Sequence, residues 1–204
     1  MPALRTLLAS LLILAVGTAL LAAATDGFRA FTSEAARRLA VAEQPRPVPA
    51  VVLQTSRGEA LPLDALRGRW LLVDFVYTRC RTYCSAQGSA FAQLQDQLAP
   101  AIARGQAALL SISFDPAHDT ADELAAYLAR SRDRGAGWYA ARPTSEADLQ
   151  ALQQAFGVTV IPDGLGGYEH NAAILVVDPQ GRLVAVLDWD APQDALQYLQ
   201  ARLS

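Results

Sequence analysis

The segment Trp70-Leu71-Leu72-Val73-Asp74-Phe75-Val76-Tyr77 is apolar nearly throughout. A strand with one solvated face alternates apolar and polar residues; this one does not, so it reads as buried on both faces. Asp74 interrupts the run and must find a partner if it is buried. Its role is open between a structural one and tuning of a nearby site.

The rest of the chain supplies the cover such a strand needs. Phe91, Leu94, Leu98 and Ile102 recur at helical spacing, which predicts an amphipathic helix over roughly Cys84 to Ala103. Ala107 to Phe114 reads as a second buried strand ending in Asp115-Pro116. Asp119-Thr120-Ala121-Asp122-Glu123 opens another helix with an acidic first turn, and Gly135 to Gly137 close it. Ser145 caps a third helix running to about Phe156. Ala172 to Val177 and Leu183 to Leu187 are strands joined by the turn Asp178-Pro179-Gln180-Gly181, and Pro192 to Leu203 is a closing helix. Ahead of them, Val51 to Leu53 and Leu61 to Leu63 flank Arg57-Gly58 as a short hairpin. Strands alternating with helices give an α/β sandwich, a mixed central sheet flanked by helices, in the order of a thioredoxin-like fold.

The front of the chain differs. Leu7 to Ala24 carries no charge and is long enough to cross a bilayer as a helix. Residues 1–25 are therefore a transmembrane anchor, or a signal segment with Ala22-Ala23-Ala24 as its cleavage site. Arg5 on one side and Arg29, Arg37 and Arg38 on the other, offset by Asp26 and Glu34, do not orient it. An N-terminal segment of this type normally exports the chain attached to its carboxyl end, which places the domain in the periplasm or an equivalent extracytoplasmic space. Residues 26–50 hold a short helix capped by Thr32 or Ser33, then Pro45, Pro47 and Pro49. Prolines at that density favour an extended spacer, so this stretch reads as a stalk. Residues 51–204 are the domain. A hydrophobic content of 52% is enough for its core, and a net charge of −3 excludes a nucleic-acid partner.

Only two cysteines occur, in Cys80-Arg81-Thr82-Tyr83-Cys84, at the carboxyl end of the buried strand where a helix begins. A small secreted scaffold would use more, widely spaced. Thiolates are favoured at a helix N-terminus, and Arg79 and Arg81 add positive charge. The spacing is wider than the Cys-x-x-Cys of a disulfide oxidoreductase; it admits a disulfide and also leaves room for a metal. The histidines are His118 and His170. His118, beside Asp115 and Asp119, reads as a surface histidine paired with a carboxylate. His170 follows the glycine-rich stretch Gly164-Leu165-Gly166-Gly167-Tyr168-Glu169, and from the residues alone it is equally a ligand or an ordinary loop histidine. Two thiolates with one imidazole would suit Cu(I) or Cu(II), whereas zinc would want a fourth strong ligand. With Met1 the only methionine, a Met-rich copper tract is excluded.

Taken in order, these motifs resemble the SCO/SenC family, the copper chaperones for cytochrome c oxidase assembly. Asp74-Phe75-Val76-Tyr77-Thr78-Arg79-Cys80 with Cys84 looks like the family's strand and cysteine pair. Ser113-Phe114-Asp115-Pro116 with Asp119-Thr120, then Phe156-Gly157-Val158, His170 and Asp178-Pro179 with Gly181 come in the order the family has them. The resemblance implies a thioredoxin-like monomeric domain on one membrane helix, with copper held by Cys80, Cys84 and His170. It also implies delivery to a copper-acceptor subunit of a terminal oxidase, in assembly of the dinuclear copper centre. The alternative is a thiol–disulfide oxidoreductase in which Cys80 and Cys84 form a redox-active disulfide that reduces the acceptor's cysteines. Arg81 stands where the family often has proline, and Glu169 where it often has aspartate; neither is a ligand.

Overall fold

The computed structural model describes residues 2–80 and 83–203, with the side chains of residues 83–86 outside the description. Strand β4 (Trp70–Val76) is central, and the burial expected of it is present: every residue after Trp70 is buried. It pairs in parallel with β5 (Ala107–Ser113), which pairs in parallel with β6 (Trp138–Pro143). On its other side β4 runs antiparallel to β9 (Ile174–Val177), and β9 to β10 (Arg182–Leu187). The hairpin β2 (Val52–Thr55) and β3 (Ala60–Pro62) adds antiparallel to β6, and β1 (Arg46–Pro47) closes the far edge on β10. The sheet order among the described residues is β1-β10-β9-β4-β5-β6-β2-β3.

Alternation along β4 divides the core in two. Leu71, Val73, Phe75 and Tyr77 face one side, with Val41 of α2 (Ser33–Glu43) and Leu149, Leu152 and Phe156 of α5 (Glu146–Phe156). Phe75 and Phe156 meet edge to face with centroids 5.4 Å apart. Leu72 and Val76 face the other side, under α3 (Tyr83–Ala103), α4 (Ala121–Arg130) and α6 (Pro192–Leu203). Thr32 and Ser145 cap their helices as expected, and Thr120 does the same for α4: each accepts a backbone N–H in the first turn of the helix it opens.

Three elements depart from the sequence reading. Helix α4 ends at Arg130 rather than near Gly135 to Gly137, and β6 comes after it. Strand β6 carries Arg142 and ends in Pro143, and its apolar run, Trp138 to Ala141, is only four residues long. A separate small hairpin, β7 (Val160–Pro162) with β8 (Tyr168–His170), holds His170 on a strand rather than in a loop.

A fourth departure corrects the stalk expected over residues 26–50. Val41 is fully buried, Arg38 donates two hydrogen bonds to the Asp188 carboxylate at 2.8 and 2.5 Å, and Arg46 and Pro47 pair with Leu183 and Arg182. The prolines do keep the chain extended, but an extended segment at a sheet edge becomes a strand, and an edge position tolerates proline. Helix α1 (Pro2–Ala24) stands apart, with mean hydropathy 2.5 and no residue buried against the domain.

A chain beginning at Pro45 therefore loses the buried Val41, a contribution of about 1.5–3 kcal/mol. Its thermal midpoint is expected roughly 4–10 °C below that of a chain beginning at Ala30. Differential scanning calorimetry checks this; equal midpoints would restore the spacer.

Candidate metal centre

Parallel pairing of β4 with β5 brings two loops to the same carboxyl edge of the sheet. The first carries Cys80, whose backbone N–H donates to the Tyr77 carbonyl at 3.2 Å as the chain turns out of β4. Cys80 is partly buried and packs against the core that contains Tyr77 and Phe114. Helix α3 then begins at Tyr83, so the Cys84 backbone lies in its first turn, where the helix dipole favours a thiolate. The Cys84 side chain and Arg81 lie outside the described residues.

The second loop braces the first. Asp119, fully buried, accepts from the Thr78 hydroxyl at 2.6 Å, from the Thr78 backbone N–H at 3.1 Å and from the Ser113 hydroxyl at 2.5 Å. Burial pushes its carboxyl up, against the pull of these donors. Asp115 accepts from Arg79 at 2.6 Å and lies 2.8 Å from His118 Nδ1. Burial alone would raise the Asp115 carboxyl, but the bonds from His118 and Arg79 outweigh it and hold it below the usual carboxylate range. His118 is thus paired with a carboxylate on the surface, as its surroundings in the sequence suggest.

His170 arrives from the other side of the sheet edge, on β8. Tyr77, Phe114 and Tyr168 form a three-ring cluster with centroids 5.3–5.6 Å apart, and the His170 ring lies 5.0 Å from Phe114. The Tyr77 hydroxyl accepts from the Tyr168 N–H at 3.4 Å. The residue that turns the chain into Cys80 is therefore also the one that seats the histidine hairpin. Among the described residues, His170 Nδ1 is buried without a hydrogen-bond partner. Burial holds the imidazole below its usual pKa, so it is neutral and its ring nitrogen is available to a metal. Glu169 alternates to the exposed face of β8, away from His170. Among the described residues no three His, Cys, Asp or Glu side chains converge; the expected third member, Cys84, is outside them.

Beneath α3 lie two buried polar side chains without hydrogen-bond partners among the described residues, Asp74 and Gln87. Both sit on the α3 side of the sheet, with Gln87 one turn beyond Cys84. Burial raises the Asp74 carboxyl to about 7. The Ser111 hydroxyl, opposite Asp74 in register, eases the charge only in part, and it already accepts from Trp138 Nε1 at 3.0 Å. The partner that Asp74 was expected to need is replaced by a proton.

Comparison with known proteins agrees with this architecture. The SCO1/SenC family model matches residues 42–202. A protein of Stutzerimonas stutzeri named for copper binding is 32% identical over 97% of this chain and 95% of its own. The structure of Bradyrhizobium japonicum ScoI with copper bound superposes with a TM-score of 0.62 at 22% identity, over 77% of this chain and 96% of that one. BsSco, a member of the Sco family of cytochrome c oxidase assembly proteins studied for a disulfide switch, superposes at 0.68 with 20% identity, over 78% and 95%. At these identities the two structures establish the shared thioredoxin-like fold.

Asp74 generates a pH dependence. Between its unfolded value near 3.8 and its folded value of about 7, the native state holds a proton that the unfolded chain has released. Stability attributable to this group is full at low pH and declines as pH rises through that window, by on the order of 4 kcal/mol. Urea unfolding at pH 5 and pH 8 should show that Asp74→Asn loses much less stability over the interval than the wild type; parallel losses would assign the slope elsewhere.

Proposed function

The chain belongs to the SCO1/SenC family, and from that premise we propose that it is a copper metallochaperone. It binds one copper ion through Cys80, Cys84 and His170 and delivers it to an acceptor subunit during assembly of the dinuclear copper centre of cytochrome c oxidase. The observation that carries the reading is the His170 ring. A buried ring nitrogen with no partner among the described residues stands on the same aromatic cluster that turns the chain into Cys80. A bond to a metal satisfies that nitrogen. A protein that only exchanges thiols and disulfides has no use for it.

The chemistry of the donor set fits the cargo. Thiolates are soft enough for Cu(I), and an added imidazole also accommodates Cu(II). The place of Cys84 in the first turn of α3 favours the deprotonated thiol that copper requires. Cys80 precedes the helix, on the loop braced by Asp119, so one ligand sits on a rigid helix and another on a tethered loop. Release to an acceptor then requires the loop and the hairpin to part, not the core to open. The relatives named for copper binding and for oxidase assembly support the same cargo and destination.

Helix α1 serves as the membrane anchor, with the domain on the extracytoplasmic side. Leu7, Leu8, Leu11, Leu12, Ile13 and Leu14 are all more than half exposed, which suits lipid rather than water.

Copper titration of the reduced protein tests the site. The wild type should bind one equivalent. His170→Ala should bind more weakly by more than the roughly 10- to 100-fold that losing a group outside the ligand set costs. Cys80→Ala and Cys84→Ala should abolish stoichiometric binding. Unchanged affinity and stoichiometry in His170→Ala would overturn the three-ligand site. Oxidase assembly by that variant in cells at the wild-type level would assign the cysteines to thiol reduction instead.

A further inference from the structure

Helix α2, the next element after the membrane helix, places a guanidinium against the base of the histidine hairpin. The Arg37 side chain is 9% exposed. Its Nη1 donates to the Gly157 carbonyl at 2.8 Å and lies 3.5 Å from the Glu34 carboxylate. Its Nε and Nη2 are buried without partners among the described residues. Burial lowers the Arg37 pKa, the Glu34 charge raises it, and Arg38 and Arg46 nearby lower it further. Burying a guanidinium this way is unfavourable, and an apolar side chain of similar length would fill the space at less cost. What distinguishes Arg37 is the group it holds.

Gly157 closes α5 in the left-handed conformation with φ of 66°, and a Cβ there would meet Arg37 Cδ at 3.1 Å. Its carbonyl accepts a second bond, from Asn171 Nδ2 at 3.0 Å. Asn171 Oδ1 in turn accepts from the Thr159 N–H at 2.7 Å. Asn171 directly follows His170, and His170 pairs with Val160 across the hairpin. The two ends of the hairpin are therefore joined through the Asn171 side chain, which also holds the Gly157 carbonyl, and Arg37 grips that carbonyl from outside.

We infer that Arg37 is a positioning residue: from the anchor-proximal helix it fixes the base of the β7–β8 hairpin and so the place of the His170 imidazole. Copper retention then depends on α2 being docked, although α2 contributes no ligand. The inference rests on the copper reading above.

The test uses the full chain in detergent micelles, with Cu(I) and Cu(II) salts as probes. Arg37→Met keeps an unbranched stem against Gly157 and removes the donor; Asn171→Ala removes the other donor to the same carbonyl. Each should lower copper affinity roughly 10- to 100-fold. Each should also alter the Cu(II) electron paramagnetic resonance spectrum and the thiolate-to-copper charge-transfer band. The double variant should lose less than the product of the two single losses, because both act through one carbonyl. In the copper-free protein, Arg37→Met should speed hydrogen exchange at the Thr159 amide.

A lower melting temperature with wild-type affinity, spectra and Thr159 exchange would overturn the inference and leave Arg37 purely structural. If the wild type binds no copper, or His170→Ala binds it equally well, the copper reading fails instead. Thr159 exchange then decides the positioning role alone: faster exchange in Arg37→Met upholds it, and unchanged exchange ends it.

Discussion

The parallel pairing of β4 with β5, buried on both faces, is the constraint that organises the molecule. Seven residue pairs in register, from Trp70 with Ala107 to Val76 with Ser113, leave no face for water. Helices must cover both sides, and α2 and α5 do so on one, with α3, α4 and α6 on the other. Parallel strands also end together. The loop with Cys80 and the loop with Asp115 and Asp119 therefore leave the sheet at the same edge, within reach of one another.

That edge is stiffened by polar groups rather than by more apolar packing. Asp119 spends its acceptor capacity on Thr78, in the loop after β4, and on Ser113, the last residue of β5. Such bonds are strong because the surroundings are dry, and costly to leave unmade for the same reason. Asp74 shows the other outcome. It lies on the same sheet with only the Ser111 hydroxyl to ease its charge, and burial raises its carboxyl to about 7. Burial pushes both carboxyls up, and the two aspartates differ in the donors that reach them.

The histidine hairpin is a separate sheet and is not held by the main ladder. It is seated on Tyr77 and Phe114 at one end and tied to the Gly157 carbonyl at the other. His170 thus sits on an element attached at two points. The same design places helix α2 where anything that displaces it reaches His170 through Arg37 and Asn171.

The central strands, the long helices and the caps at Thr32 and Ser145 were legible in the sequence, because hydrophobic periodicity and capping are local properties. The cysteine pair at a strand-to-helix junction was legible for the same reason. Strand β6 and the β7–β8 hairpin were not: β6 pairs with strands distant in sequence, and β7 and β8 are only three residues each. The segment read as a stalk was misjudged because proline announces an extended backbone but not what it pairs with. By itself, then, the sequence determined which segments are strands buried on both faces, where the helices begin and where the thiols sit. Only the tertiary structure decided that His170 and the Cys80 loop rest on one aromatic cluster, that burial raises the Asp74 carboxyl and that Arg37 reaches the histidine hairpin. Each of these depends on what stands opposite a side chain across the fold, and nothing in the local pattern of residues encodes that.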